Sequence, residues 1–119
     1  MEKVNIKEKY QLFNDHWNPR IIGELNGQDV KIAKVKGEFV WHDHKDEDEM
    51  FLLMKGSLKI EFRDKTVELK EGEMLIIPKG VEHKPVAEEE AWILLFEPQG
   101  TKHTGDVKDE RTVEKFDKI

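Results

Sequence analysis

The sequence predicts an all-β fold, one small antiparallel barrel, and three features carry the prediction. Short apolar stretches rich in Val, Ile, Phe and Leu recur from Asp29 to Glu97, broken by Gly, Pro or charged pairs about every eight to twelve residues. Leu58-Lys59-Ile60-Glu61-Phe62-Arg63 alternates apolar and charged side chains, which gives a strand one dry face and one wet face. Hydrophobic residues make up 37% and charged residues 39%, so a core forms only if the two are well segregated.

Ahead of the barrel, Asn5 stands three residues before Glu8, a spacing like a capping box, and Tyr10 and Phe13 follow at helical spacing. A short N-terminal helix is expected there. Trp17-Asn18-Pro19 ends its periodicity, and Leu25-Asn26-Gly27-Gln28 reads as a turn. Strands are then expected near 30–35, 39–42, 50–55, 58–63, 66–69, 74–77, 83–86 and 91–97. Lys55-Gly56-Ser57, Arg63-Asp64-Lys65 and Lys70-Glu71-Gly72 supply tight turns, and the acidic Glu88-Glu89-Glu90 reads as a solvated hairpin tip.

Met50-Phe51-Leu52-Leu53-Met54 and Trp92-Ile93-Leu94-Leu95-Phe96 are apolar on both faces. A strand tolerates this only if both sides are covered. The barrel interior covers one; the N-terminal segment, a second sheet layer or another subunit must cover the other, and a homodimer is expected. From Gln99 to Lys118 no apolar run remains, so residues 99–119 are expected as an irregular tail, docked or loose. The barrel core is expected at about 28–98, within a single domain spanning 1–119.

Composition narrows the functional classes. A formal net charge of −6 repels a phosphate backbone, so nucleic acid is not an expected partner. No apolar run approaches the ~20 residues that cross a bilayer, and the opening Met1-Glu2-Lys3-Val4-Asn5 lacks the character of a signal peptide, so a cytoplasmic, membrane-free protein is expected. With no cysteine, thiolate metal sites and Cys nucleophiles are excluded.

Chemistry concentrates in two places. His42 and His44 follow the strand-like Glu38-Phe39-Val40-Trp41, and residues two apart on a strand share a face, so both imidazoles can reach one point. Glu49 follows the polar stretch Lys45-Asp46-Glu47-Asp48 and shares its face with Phe51 and Leu53, where a lone carboxylate is costly unless paired. Far along the chain, Pro78-Lys79-Gly80 makes a turn that leads into His83. Three imidazoles and one carboxylate suit a borderline divalent metal ion. The alternative is a set of surface histidines on an acidic loop.

These residues resemble the two motifs of the cupin superfamily. The first is Gly, five residues, His-x-His, three or four residues, Glu, six residues, Gly; here Gly37, His42, His44, Glu49 and Gly56 match it. The second is Gly, five residues, Pro-x-Gly, two residues, His, three residues, Asn; here Gly72, Pro78, Gly80 and His83 match it. Four residues instead of five separate Gly37 from His42, and Ala87 stands where the pattern has Asn. The resemblance implies a small single-domain cupin, a double-stranded β-helix or jelly roll, with His42, His44, Glu49 and His83 as metal ligands.

It also implies an octahedral ion (Zn, Ni, Fe, Mn, Co or Cu) with two positions open to a small ligand. One carboxylate against a doubly charged ion leaves a positive centre that favours anionic or enolisable groups, such as a sugar acid. Phe51, Leu53, Leu58, Ile60 and Phe62 are expected to line the interior. Similarity to cupins allows isomerase, dioxygenase, decarboxylase or lyase chemistry; a non-catalytic binding or sensing module and a purely structural ion are the alternatives. Glu82 is a weak candidate for a general base, and His16 and His103 read as solvated side chains. Trp17, Trp41 and Trp92 are expected to pack, with Trp41 on the outer face. Thr101-Lys102-His103-Thr104-Gly105-Asp106 resembles a stretch that follows the barrel in small stand-alone cupins, with no chemistry attached.

Overall fold

A computed structural model describes residues 1–105, 107–109, 112–113 and 115–119. Helix α1 (Ile6–Tyr10) starts where the sequence places it, with the Asn5 side chain accepting the Glu8 backbone N–H at 3.0 Å. Seven strands follow: β1 (Arg20–Leu25), β2 (Gln28–Glu38), β3 (Glu49–Lys55), β4 (Ser57–Glu61), β5 (Thr66–Lys70), β6 (Met74–Ile77) and β7 (Lys84–Pro98). Strand β1 is absent from the sequence expectation; it pairs with β2 across the Asn26-Gly27 turn, where both residues have positive φ, 51° and 77°.

The hydrogen-bonded order is β1-β2-β7-β3-β6, with β4 joining β5 to β7. Strand β7 is the spine. Its C-terminal part places Leu94 opposite Ile32 of β2 and Leu52 of β3, while its N-terminal part places Val86 opposite Lys59 of β4. One long strand therefore serves both halves of the jelly roll.

Two expectations need correcting. Segments 83–86 and 91–97 are one strand, and Glu88-Glu89-Glu90 is a bulge in it, not a hairpin tip. Pairing with β2 slips from Val35 opposite Ala91 to Gly37 opposite Ala87, and the exposed triplet absorbs the slip. Segment 39–42 is not a strand either; only His42 pairs, in an isolated antiparallel bridge with His83.

Period-two burial then sorts the side chains. Phe51, Leu53, Leu58, Ile60, Ile93 and Leu95 fill the interior, and Phe62 packs partly buried against them. Outside the sheet, Tyr10 and Phe13 cover Ile32 and Leu94. The Tyr10 ring stacks on Trp92 at 4.6 Å and its hydroxyl donates to the Ile93 carbonyl. This cover stops before the β3–β6 edge, where Met74 and Ile76 remain 56% and 55% exposed opposite Leu52 and Met50.

The tail docks. Lys118 bridges to Ile21 in parallel, and the Ile119 N–H donates to the Ile21 carbonyl at 3.0 Å. Closer to the barrel, Thr101, His103 and Thr104 are buried. Buried Lys31 donates to Glu97 Oε1 at 3.0 Å and to the Thr101 carbonyl at 3.2 Å, tying this segment to the barrel end. No helix of the described residues is long and apolar enough to cross a membrane.

Candidate metal centre

His42 and His44 lie between β2 and β3, Glu49 opens β3, and His83 immediately precedes β7. The fold brings all four together, and all are buried. One ligand atom from each can be chosen so that the set lies within 4.8 Å. Glu49 Oε1 is central, 3.4 Å from His44 Nε2 and 3.3 Å from His83 Nε2. His42 Nδ1 lies 2.9 Å from the Val40 carbonyl and His83 Nδ1 lies 2.9 Å from the Val81 carbonyl. A carbonyl accepts only from a protonated Nδ1, so in the neutral ring each pairing leaves Nε2 as the lone pair that can ligate.

Glu49 Oε1, His44 Nε2 and His83 Nε2 are buried without hydrogen-bond partners; their 3.3–3.4 Å contacts fall short of hydrogen-bond geometry. Three such atoms are costly together unless something satisfies them at once. An ion bonded at about 2.0–2.2 Å to N and O holds donors up to about 4 Å apart, close to the span observed here. The donor set therefore fits a divalent ion of borderline softness.

The electrostatics agree. Burial, helped by neighbouring His83, pushes the His42 pKa down to about 4, so this ring is neutral and ready to ligate. At His44 burial opposes the charge, but the Glu49 carboxylate outweighs it and raises the pKa. At Glu49 burial acts upward, yet His44 and His83 hold the carboxyl well below its ordinary range.

Two buried ionisable residues, Glu97 and Lys31, lie beside the site without having been singled out from the sequence. Glu97 is raised well above the usual carboxylate range, first by burial and then by the Glu49 charge. Its partner Lys31 is equally buried. The signal was present: Glu97 continues the inward run Ala91, Ile93, Leu95 by period two.

Other marked residues fall as follows. His103 is buried, not solvated: its ring stacks on Phe39 and meets Phe116 edge-on, because the docked tail carries it inward. His16 is partly exposed beside Glu90. Glu82 faces solvent and pairs with Arg63, away from the site. Trp41 does lie outside, under the Arg63 guanidinium at 3.9 Å. Among the loop carboxylates, Asp48 accepts the Lys79 N–H at 2.8 Å and so ties the first motif to the Pro78 turn.

The model of the cupin domain matches residues 29–97, more than half of the chain and all four clustered residues. The chain belongs to the cupin family. The uncharacterized protein YdbB of Bacillus subtilis (strain 168) is 41% identical over 80 residues, covering 66% of this cupin and 65% of that protein. The match thus spans slightly under two thirds of its curated relative. A cupin-2 domain containing protein from Shewanella frigidimarina NCIMB 400 has a crystal structure with 54% identity and a TM-score of 0.80, over 81% of this chain and 94% of that one. Protein NMB1881 from Neisseria meningitidis superposes with a TM-score of 0.76 at 29% identity, over 82% of this cupin and 100% of that chain.

Proposed function

We propose that this cupin holds one divalent metal ion (Zn, Ni, Fe, Mn or Co) on His42, His44, Glu49 and His83, and binds or transforms a small anionic or enolisable metabolite there. The observation that carries the reading is the trio of unsatisfied buried atoms, Glu49 Oε1, His44 Nε2 and His83 Nε2, facing one another inside the barrel. When bound, the ion would polarise a ligand oxygen as a Lewis acid. The chain's own groups do the rest. The Val40 and Val81 carbonyls hold two rings in the ligating tautomer, and the apolar wall of Phe51 and Leu95 excludes water. A sugar acid is one member of this ligand class.

Capture without turnover is a second reading, favoured by the outward orientation of Glu82, which removes the sequence's candidate base. The two separate on incubating ion-loaded protein with uronates, 2-oxo acids and diketones. Product formation that disappears in His42→Ala supports catalysis; saturable thermal shifts without product support binding. Calorimetric titration of chelator-treated protein with Co²⁺ tests the shared premise: saturable uptake supports it, and no heat above buffer removes it.

The homodimer belongs to the same proposal. The apolar β3–β6 edge carrying Met74 and Ile76 would be its interface.

A further inference from the structure

The four clustered residues are held in two halves. His42 and His83 are joined directly, by an isolated antiparallel bridge between their own main chains. His44 and Glu49 make the other half, separated in the chain by the polar loop Lys45-Asp46-Glu47-Asp48. This loop is largely exposed, so it buries little surface that would fix its shape. Its hold has to come from hydrogen bonds.

The turn that leads into His83 supplies them. Strand β6 pairs with β3 as far as Ile77 opposite Glu49, and Pro78 then brings no N–H. The Val81 N–H donates to the Pro78 carbonyl at 3.3 Å, closing a turn in which Gly80, with φ +80°, takes the third position. Both central N–H groups of this turn are spent on the loop: Gly80 donates to the His44 carbonyl at 2.7 Å, and Lys79 donates to Asp48 Oδ1 at 2.8 Å. One turn therefore grips the loop at His44 itself and at the residue before Glu49.

The two grips differ in what they ask of the sequence. A main-chain carbonyl at position 44 comes with any residue, whereas the second grip needs a short side chain with an acceptor oxygen, and a carboxylate makes the stronger bond. Ligands must be held to within about 0.5 Å of their working geometry, and a loop free at one end does not do this. We infer that Asp48 is a positioning residue of the metal centre: by holding the Lys79 N–H it sets where His44 and Glu49 stand relative to the His42–His83 pair, and so sets the affinity for the ion. This rests on the metal reading above and deepens it.

The test measures Co²⁺ affinity by competition against a chromogenic chelator, together with the visible spectrum of bound Co²⁺, which reports its coordination geometry. Asp48→Ala removes the acceptor and should weaken Co²⁺ about tenfold, the lower end of what loss of outer support costs a metal site, and alter the spectrum. Asp48→Asn keeps an acceptor oxygen without the charge and should hold affinity within about threefold of wild type, with the wild-type spectrum. Asp46→Ala removes a charge from the same loop and should change neither reading. Positions 46 and 48 are exposed, so all three variants should fold. Unchanged affinity in Asp48→Ala overturns the inference and leaves the metal reading standing. Equal losses in Asp48→Ala and Asp48→Asn, or in Asp48→Ala and Asp46→Ala, make the effect one of charge and overturn it as well. Failure of the wild-type protein to take up Co²⁺ removes both.

Discussion

His42 and His83 exchange both backbone hydrogen bonds, His42 N–H to the His83 carbonyl at 3.1 Å and His83 N–H to the His42 carbonyl at 2.9 Å. Residues paired this way in an antiparallel bridge project their side chains to the same side. Their ring centroids are accordingly 4.3 Å apart. The two motifs are pinned to each other by main chain, so the site's geometry does not depend on side-chain contacts alone.

Within that frame Glu49 supplies the negative charge of the set. Glu49→Gln keeps the shape and removes the charge, and Co²⁺ affinity should fall at least about a hundredfold. Competition against a chromogenic chelator measures it. Unchanged affinity would take Glu49 out of the ligand set.

Acid should weaken the metal-free protein through His42. Folded His42 stays neutral down to about pH 4, whereas in the unfolded chain it takes up a proton near its ordinary 6.5. The unfolded state then binds more protons across this interval, so stability present above pH 6.5 is lost as pH falls toward 4, by about 3 kcal/mol. Glu97, raised by burial, acts with the opposite sign. The informative quantity is therefore the difference in urea stability between wild type and His42→Gln in the presence of chelator: the wild-type profile should be the steeper between pH 6.5 and 4.

Gly105 has φ +60°, and a Cβ there would lie 2.0 Å from the Asp43 carbonyl oxygen. Backbone meets backbone, so neither side yields cheaply. Gly105→Ala should cost ~2 kcal/mol or more by strain and displacement of the docked segment. Thermal melting reads this directly; an unchanged midpoint would mean that the segment does not sit against Asp43.

Replacing Met74 and Ile76 together by Lys should leave the fold intact, because both side chains are exposed on edge strand β6. It should also convert a dimer into a monomer in sedimentation at micromolar concentration. A wild-type monomer would contradict the proposed interface.

The barrel and its four clustered residues were legible because each rests on local regularity: period-two alternation for the strands, fixed spacing for His42, His44, Glu49 and His83. Glu97 and Lys31 obey the same alternation, but a charge in an inward register reads as a surface residue until its partner is known. His103 had no local signal, since its burial comes from ring contacts with Phe39 and Phe116 across the docked tail. Glu88-Glu89-Glu90 is exposed whether it is a tip or a bulge, and only the register against Gly37 separates the two.

The central claim is that four buried side chains share one ion. Elemental analysis of protein purified from native cells tests it most directly, with His83→Ala prepared alongside. The account predicts about one divalent transition-metal ion per wild-type chain and less than about a tenth of that in the variant. A metal-free wild type, or equal metal content in both, would contradict it.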